Sequence, residues 1–359
     1  MKQFSILLIL LFFITISCNQ KSQKLPFDNS LKKELTLIKG KVNNWHTDTV
    51  YYASLPFHSP YSTFEGFKIL SSDKNFELTF NDIDKPFILL LTPEEKFLDN
   101  RSFLLFESFT DQYYQGYCKN FFTMPMTTYL VEPDSESIVE LTKTSRYGET
   151  KIKFLNENTY NSEYYQTTFD LDQRFDEVVT LAKTREKAIE DLNIKLNDLL
   201  KRLDKEREYI SPFLYRYVKA EIEFGARKEF LRYLLLDHKE ETSQLLVNEI
   251  PSDINEVVEF DKEKIDDATL ISQEYNEFLE LYLHFKFSQQ KRKLILFKEF
   301  DKEKFDFAFN ELPEASKYYY LANNLLYSNA NEQTKELVAR LVCEYPDGEF
   351  NDKLSKKHN

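Results

Sequence analysis

The apolar pattern of this 359-residue chain changes its period once, at about Asp170, and this change limits the folds that are possible. Before it, short runs such as Phe76–Phe80 alternate apolar and polar residues, as in a strand with one buried face. After it, apolar residues recur every three or four positions, which is the period of a helix. We therefore predict the α+β class: an N-terminal antiparallel β-sandwich or open barrel over residues 34–169, followed by an α-helical module over residues 170–359.

Short strands are predicted throughout the N-terminal half. Pro, Asn, Asp and Ser residues separate them, and no alternation of strands with helices of the βαβ kind appears, which disfavours a parallel sheet. The predicted strands are Leu35–Val42, Thr49–Ala53, Phe67–Leu70, Asn75–Phe80, Pro86–Leu91, Ser102–Phe106, Met126–Val131, Ser137–Leu141 and Lys151–Phe154.

One long helix is predicted to open the second half, with Asp170 and Gln173 as its capping pair. Its seam steps by four and three residues alternately, which is typical of a helix packed lengthwise on a partner helix. We expect that partner within the same chain, in preference to a homodimer, because further helices follow at once. The seam residues are Val178, Ala182, Arg185, Ile189, Leu192, Leu196, Leu199 and Leu203.

Capping residues mark the later helices. Ser211-Pro212 places an N-cap before a proline at the first helical position, and this helix is expected to run to about Leu236. Ser272 is predicted to cap another helix. Further helices are predicted at Leu294–Phe309, Pro313–Tyr327 and Glu332–Glu344, the last capped by Asn331, ended at Tyr345–Gly348 and followed by a polar tail, Lys353–Asn359.

The composition excludes several classes of function. Only six glycines occur, and no two of them have the spacing of a phosphate-binding loop or a nucleophile elbow. The formal net charge is −13, and the sequence pI is near 5.1. An acidic surface disfavours nucleic acid and anionic lipid head groups as partners.

The N-terminus has the pattern of an export signal. Lys2 precedes an apolar run, Phe4–Ile16, that is shorter than the roughly 20 residues a membrane-spanning helix needs. Ser17-Cys18 follows it, so residues 1–17 resemble a bacterial lipoprotein signal peptide, although Thr15 stands where leucine is usual. In that reading Cys18 becomes the acylated N-terminus, and residues 18–33 form a polar tether. A simple secretory signal and an uncleaved anchor are the alternatives.

The same segment predicts where the protein is located. Lipoproteins of the Bacteroidetes type that reach the cell surface often carry an acidic run after the cysteine, and Asn19–Gln23 lacks one. We therefore expect a cell-envelope protein that is held in the outer membrane by lipid at Cys18 and faces the periplasm.

The cysteine and histidine patterns predict neither a metal nor a cofactor. Cys118 and Cys343 are 225 positions apart and form no CxxC pair. We expect free, unreactive thiols, although a disulfide between them stays open outside the cytoplasm. The histidines form no HxxxH or HExxH pair of the kind that ligates zinc.

One stretch is dense in aromatic residues and methionine, and it is the candidate ligand-binding region. Exposed aromatic rings stack on peptides or sugars, and methionine adapts to varied partners. The alternative is that these side chains belong to the core or to a domain seam. The candidate residues are Tyr113, Tyr114, Tyr117, Phe121, Phe122 and Met124, with Met126 beside them.

Three sequence segments in the helical half, together with a turn in the β half, resemble those of a known family. The segments are Ser211–Ile222, Ser272–Tyr282 and the stretch from Tyr318–Ala322 to Glu344–Phe350; the turn is Leu130–Asp134. Together they resemble the N-terminal region of Bacteroidetes TlpA-like thiol-disulfide oxidoreductase lipoproteins. The turn is similar to the family's leucine-x-proline-glycine-aspartate turn without its glycine.

The resemblance implies a β module and a helical module that precede a thioredoxin domain with a CxxC motif. No residue of this sequence lies on that motif, so the family's catalytic positions are not carried over. We therefore expect a non-enzymatic binding or accessory module, with no catalytic residue. The alternatives are a component of a thiol-disulfide exchange system that works with a thioredoxin-like protein in trans, a truncated oxidoreductase, and a glycan-uptake lipoprotein.

Overall fold

The structure is a computed structural model that describes residues 34–55, 65–83, 86–93, 127–133, 135–143, 150–156, 175–248, 250–297 and 300–358. These residues fall into two compact units. The larger unit takes its members from Asp28–Phe260 and Asp266–Leu294, and the smaller one from Asp261–Ile265 and Ile295–Asn359.

Two four-stranded sheets form the β part of the larger unit, in the orders β4-β1-β7-β8 and β3-β2-β5-β6. The strands are β1 (Glu34–Asn43), β2 (Thr49–Leu55), β3 (Glu65–Ile69), β4 (Asn75–Ile83), β5 (Phe87–Thr92), β6 (Thr127–Val131), β7 (Glu136–Lys143) and β8 (Thr150–Phe154). Eight of the predicted strands are thus confirmed, and the ninth, Ser102–Phe106, lies outside the described residues.

The two sheets pack against each other, and neither closes into a barrel. Phe80 of β4 contacts Tyr52 of β2 and Phe87 of β5, with ring centroids 5.9 and 5.5 Å apart. The alternation in β4 is the predicted one, since Phe76, Leu78 and Phe80 are buried. Of the two predicted architectures, a β-sandwich and an open barrel, the sandwich agrees better with this packing.

One strand pair corrects the expectation of a purely antiparallel fold. β1 pairs with β7 in parallel, from Leu37 opposite Glu136 to Asn43 opposite Thr142, while the five other pairings among the described strands are antiparallel. About a hundred residues separate the two strands in the chain, which is ample for the crossover that a parallel pair requires. No local pattern of residues indicated this pairing, because it joins strands that are far apart in the chain.

Helices make up the rest of the larger unit. They are α1 (Asp176–Leu181), α2 (Arg185–Glu206), α3 (Pro212–Arg232), a π-helix (Tyr233–Asp237), α4 (Lys239–Val247), α5 (Ser252–Val258), α6 (Asp267–Leu270) and α7 (Gln273–Lys291). As predicted, α2 packs on a helix of the same chain, which is α3. Three short helices of this unit, α4, α5 and α6, were not predicted.

The predicted long helix is divided, so its continuity was wrong. Ala182 is extended, with a ψ of 128°, and α2 starts anew with Thr184 as its N-cap, whose side chain accepts a hydrogen bond from the Lys187 N–H. The break directly precedes Arg185, the residue that interrupts the predicted seam. It lets Val179, which is 1% exposed, be buried while the longer helix takes its own direction.

Both predicted serine caps of this unit are confirmed. The Ser211 hydroxyl accepts a hydrogen bond from the Leu214 N–H at 3.0 Å, and Pro212 follows at the first helical position. The Ser272 hydroxyl accepts one from the Tyr275 N–H, also at 3.0 Å. Serine at an N-cap replaces a hydrogen bond that the first turn of a helix lacks.

The smaller unit contains a 3₁₀ turn (Lys262–Lys264), α8 (Lys302–Glu311), α9 (Glu314–Tyr327), α10 (Glu332–Glu344) and α11 (Asn351–His358). The predicted cap at Asn331 is confirmed as a reciprocal capping box with Thr334. Two predictions were wrong here. The helix predicted at Leu294–Phe309 begins only at Lys302, after the Asp301 cap, and the predicted polar tail forms α11.

The C-terminal end of helix α11 has hydrogen-bond partners in the same unit. The Lys357 ammonium donates to the Leu326 carbonyl, and the His358 ring nitrogen Nε2 lies 2.9 Å from the Leu325 carbonyl oxygen. Both carbonyls belong to the last turn of α9, and that of Leu325 also accepts from the Ser328 N–H at 3.2 Å. Leu354 is fully buried, so a segment that looks polar in sequence contributes an apolar contact to this unit.

Candidate binding hollow at a π-helix

The residues predicted to carry function lie mostly outside the described part of the chain. These are Cys18, Tyr113, Tyr114, Tyr117, Phe121, Phe122, Met124 and Met126. Cys343 is described, and it is disulfide-bonded, so the expectation of a free thiol there was wrong. Cys118, the pairing candidate that the sequence offered, lies outside the described residues.

A π-helix marks the region that the sequence did not single out. Helix α3 ends at Arg232, and the backbone continues as a π-helix in which the His238 N–H donates to the Tyr233 carbonyl at 2.9 Å. The buried Thr242 hydroxyl donates to the Leu234 carbonyl at 2.6 Å. Because π turns are rare and are frequent at functional sites, this junction is a candidate site.

The residues after the turn line an open hollow of about 550 Å³. That volume lies within the range of roughly 300–1,000 Å³ that small-ligand sites occupy. Its wall is mostly polar and comprises Leu236, Asp237, His238, Lys239, Glu240, Glu241 and Gln244. Three carboxylates against one lysine make this wall negative, so it suits a polar ligand that carries a positive charge.

A guanidinium and an imidazole already lie near the carboxylate of Glu241. Arg185 Nη1 is 3.9 Å from one oxygen of Glu241, and His238 Nδ1 is 3.8 Å from the other. Arg185 Nε is 3.8 Å from Asp253 and makes no hydrogen bond within the described residues. These separations are longer than a hydrogen bond. Glu241 is therefore attracted to its neighbours and keeps lone pairs for a ligand.

Tyr233 lies behind the hollow with an unsatisfied hydroxyl. Its side chain is 2% exposed, and the hydroxyl has no hydrogen-bond partner among the described residues. Its ring packs on the His238 ring with centroids 3.9 Å apart, and His238 lines the hollow. Burial, and then the nearby Glu241 carboxylate, raise the pKa of Tyr233, so it stays a neutral hydrogen-bond donor.

The hollow therefore offers binding contacts. It combines carboxylate acceptors, an imidazole and amide groups around a solvent-filled space. Within the described parts of the chain, no group of three or more His, Cys, Asp or Glu side chains is placed to hold a metal ion. The same parts include no helix that is both long and apolar enough to cross a membrane.

Searches with protein-family models and among curated proteins and solved structures found no match to this chain. The family resemblance therefore stays a prediction that depends on three segments of the helical half and one turn of the β half.

One sequence feature, a run of three leucines, could have indicated the distorted turn beside the hollow, although the prediction did not use it. Leu234-Leu235-Leu236 places three large apolar residues in succession, and Tyr233, Leu234 and Leu235 are all buried. A regular α-helix on a surface buries one stripe and turns consecutive residues to different sides. Consecutive burial followed by Asp237-His238 thus indicates a distorted turn, but it does not reveal the hollow.

Proposed function

We propose that this protein is a lipid-anchored protein of the cell envelope that binds a partner without transforming it. The observation that carries the anchor is the apolar run Phe4–Ile16 followed directly by Ser17-Cys18. Acylation at Cys18 would attach more than one chain, which gives stable anchoring where a single chain is marginal. Outer-membrane attachment facing the periplasm belongs to the same proposal.

Metabolic labelling tests the anchor. The full chain is expressed in a bacterium that is supplied with an alkyne fatty acid, and the label is expected on the wild type and absent from Cys18→Ser. The variant is expected to leave the membrane fraction or to accumulate as precursor. Equal labelling of the two proteins would contradict lipidation at Cys18 and leave a simple secretory signal as the better reading.

The hollow after the π-helix supports the binding part of the proposal. Its negative wall fits the ammonium or guanidinium group of a peptide or of another small cation. Fluorescence anisotropy with a labelled lysine-rich peptide, and with its fully acetylated form as the comparison, tests this. We expect only the charged peptide to bind.

Matched variants locate that binding. Glu240→Gln/Glu241→Gln is expected to weaken it about tenfold, as loss of charged hydrogen bonds worth about 1.5 kcal/mol would do. Glu256→Gln changes an exposed carboxylate of α5 outside the hollow and is expected to leave the affinity unchanged. Equal binding of the charged and acetylated peptides, or equal affinity of both variants, would refute the hollow as the binding site.

One observation favours the alternative role in thiol-disulfide exchange with a thioredoxin-like protein. Cys343 is part of a disulfide, and a disulfide is what an attacking thiolate cleaves. In that step the thiolate bonds to one sulfur, and the other sulfur leaves as a thiolate. A thioredoxin whose second cysteine is replaced would trap the mixed disulfide. Recovery of a Cys343-containing adduct would support this role, and its absence would remove it.

A further inference from the structure

A histidine and a glutamate face each other in the wall of the hollow. His238 Nδ1 lies 3.8 Å from Glu241 Oε2, and the two residues are three positions apart in the chain. Their side chains are 38% and 46% exposed, so both reach solvent. The separation is longer than a hydrogen bond, and a small rotation of either side chain would close it. We call these two residues the His238–Glu241 pair.

The π-helix places the imidazole beside the carboxylate. The His238 N–H donates to the Tyr233 carbonyl at 2.9 Å, and the backbone leaves the helical range at His238, with a φ of −121° and a ψ of 46°. Helix α4 begins at the next residue, so Glu241 lies in its first turn. The His238 ring packs on the Tyr233 ring, with centroids 3.9 Å apart, and this contact holds the imidazole at the edge of the hollow.

The charged and titratable groups around the pair come from four elements. They are Tyr233 and Asp237 of the π-helix, Lys239 and Glu240 of α4, Arg185 and Glu186 of α2, and Asp253 of α5. Arg185 lies 2.7 Å from Glu186 and 3.9 Å from Glu241, so the guanidinium is closer to another carboxylate. Burial, and then Glu241, raise the pKa of Tyr233, so the phenol stays neutral. Among these types of side chain, imidazole is the one that ordinarily changes its charge between pH 5 and 8.

We propose that His238 makes binding at the hollow pH-dependent, because its protonated imidazole pairs with Glu241 and withdraws that carboxylate from a cationic ligand. This inference rests on the proposed binding of a cation at the hollow. Near pH 8 the imidazole is neutral, and the carboxylate is available to the ligand. Protonation also adds a positive charge to the wall, which repels a cationic ligand. Both effects have the same sign, so affinity falls as the solution becomes acidic.

Fluorescence anisotropy of the full chain at pH 5.5 and pH 8 tests the proposal. The probe is a lysine-rich peptide with its label on the N-terminus and an amide at its C-terminus, so that its charge is the same at both pH values. For the wild type, the dissociation constant is expected to be about three- to tenfold larger at pH 5.5, as loss of one ion pair or charged hydrogen bond would give. His238→Gln keeps a polar side chain but gains no proton, and its dissociation constant is expected to change by less than about twofold.

The control is His46→Gln, which changes an exposed histidine between β1 and β2 that does not line the hollow. It is expected to keep the pH dependence of the wild type. Absence of wild-type binding at pH 8 would refute the proposed function, and this inference with it. Wild-type binding that is equal at both pH values, or that weakens equally in His238→Gln, would overturn the pH control alone.

A double-mutant cycle in the protein without peptide measures the pair directly. His238→Gln, Glu241→Gln and the double variant are unfolded with urea at pH 5.5 and pH 8. The coupling between the two changes, taken as a ratio of unfolding equilibrium constants, is expected to be about two- to fivefold at pH 5.5, as for exposed ion pairs, and close to one at pH 8. Equal coupling at the two pH values would overturn the proposal even if the affinity for the peptide changed with pH.

Discussion

The described glycines serve close packing more than unusual backbone conformation. None of them has a positive φ, whereas Asn44, Lys74 and Arg292 do. Gly40 lies opposite Phe76 on the neighbouring strand, and Gly66 lies opposite Tyr52. In each pair the aromatic ring occupies the space above the glycine, where a Cβ would collide with it. An aromatic side chain over a strand glycine offsets the packing that the glycine lacks.

Gly40→Ala is expected to lower the free energy of unfolding by about 1–3 kcal/mol, because the new methyl group meets the buried Phe76 ring. Gly66→Ala is the matched comparison. There the methyl group would lie 2.6 Å from the Tyr52 hydroxyl, but Tyr52 is half-buried and can move outward. Urea unfolding of both variants checks the order, and a larger loss for Gly66→Ala would contradict this account.

At the scale of elements, one helix cap also joins the β and α parts of the larger unit. The Ser211 hydroxyl accepts from the Leu214 N–H and donates to Glu132 Oε1 at 2.5 Å. Glu132 follows β6, in the turn that contributed to the family resemblance. Ser211 is the first residue of a helical segment that contributed to the same resemblance. Two segments that looked unrelated in sequence therefore share one hydrogen-bonded contact. The carboxylate also lies at the positive end of α3, where a negative charge is favourable.

Ser211→Ala is expected to destabilise the protein by about 0.5–2 kcal/mol, since it removes the cap and leaves Glu132 without this donor. Ser211→Thr keeps the hydroxyl and is expected to retain most of the stability. A double-mutant cycle with Glu132→Gln, measured by denaturant unfolding, separates the cap from the link. Additive effects of the two changes would show that the link between Ser211 and Glu132 contributes nothing.

At the scale of the whole molecule, both compact units bury aromatic side chains. The larger unit packs Phe224, Phe260, Phe278 and Tyr282 into one aromatic group. The smaller unit buries tyrosines, among them Tyr318, Tyr319 and Tyr345. Hydroxyl groups in that core need partners, and the Tyr345 hydroxyl donates to Glu314 at 2.6 Å. Alkaline pH should therefore act on the smaller unit through its tyrosines.

Burial first, and for Tyr345 then the hydrogen bond to Glu314, raise the pKa values of Tyr318, Tyr319 and Tyr345 above the ordinary value of 10. The unfolded chain releases these protons as the pH passes 10, while the folded chain keeps them. Stability is therefore complete below pH 10 and falls above it. Ultraviolet absorbance of tyrosinate, followed with circular dichroism, should show some tyrosines ionising only as the protein unfolds.

Tyr345→Phe removes one of these ionisable hydroxyls. The free energy of unfolding is therefore expected to fall less steeply with pH above pH 10, by at most the slope that one proton contributes, although the change also removes the bond to Glu314. Tyr209→Phe, at a position that is 68% exposed, is the control and should change nothing. If all tyrosines ionised together before any change in circular dichroism, the account of this core would be wrong.

The sequence by itself determined the elements whose cause is local. Period-two alternation located β4, and serine or asparagine caps located the starts of α3, α7 and α10, because a strand face and a first helical turn are specified by residues close in the chain. The same reasoning failed where a competing local signal was not weighed. Thr184 caps a new helix inside the predicted long one, and Asp301 delays the start of α8.

Only the tertiary structure decided which distant residues meet. The parallel pairing of β1 with β7 joins strands about a hundred residues apart, and the polar segment of α11 contacts carbonyls in the last turn of α9. The ion pairs of Lys228 in α3 with Glu274 and Glu277 in α7 unite side chains that look in sequence like ordinary solvated charges. Burial and charge balance depend on what surrounds a side chain in space, and a local pattern of residues does not contain that information.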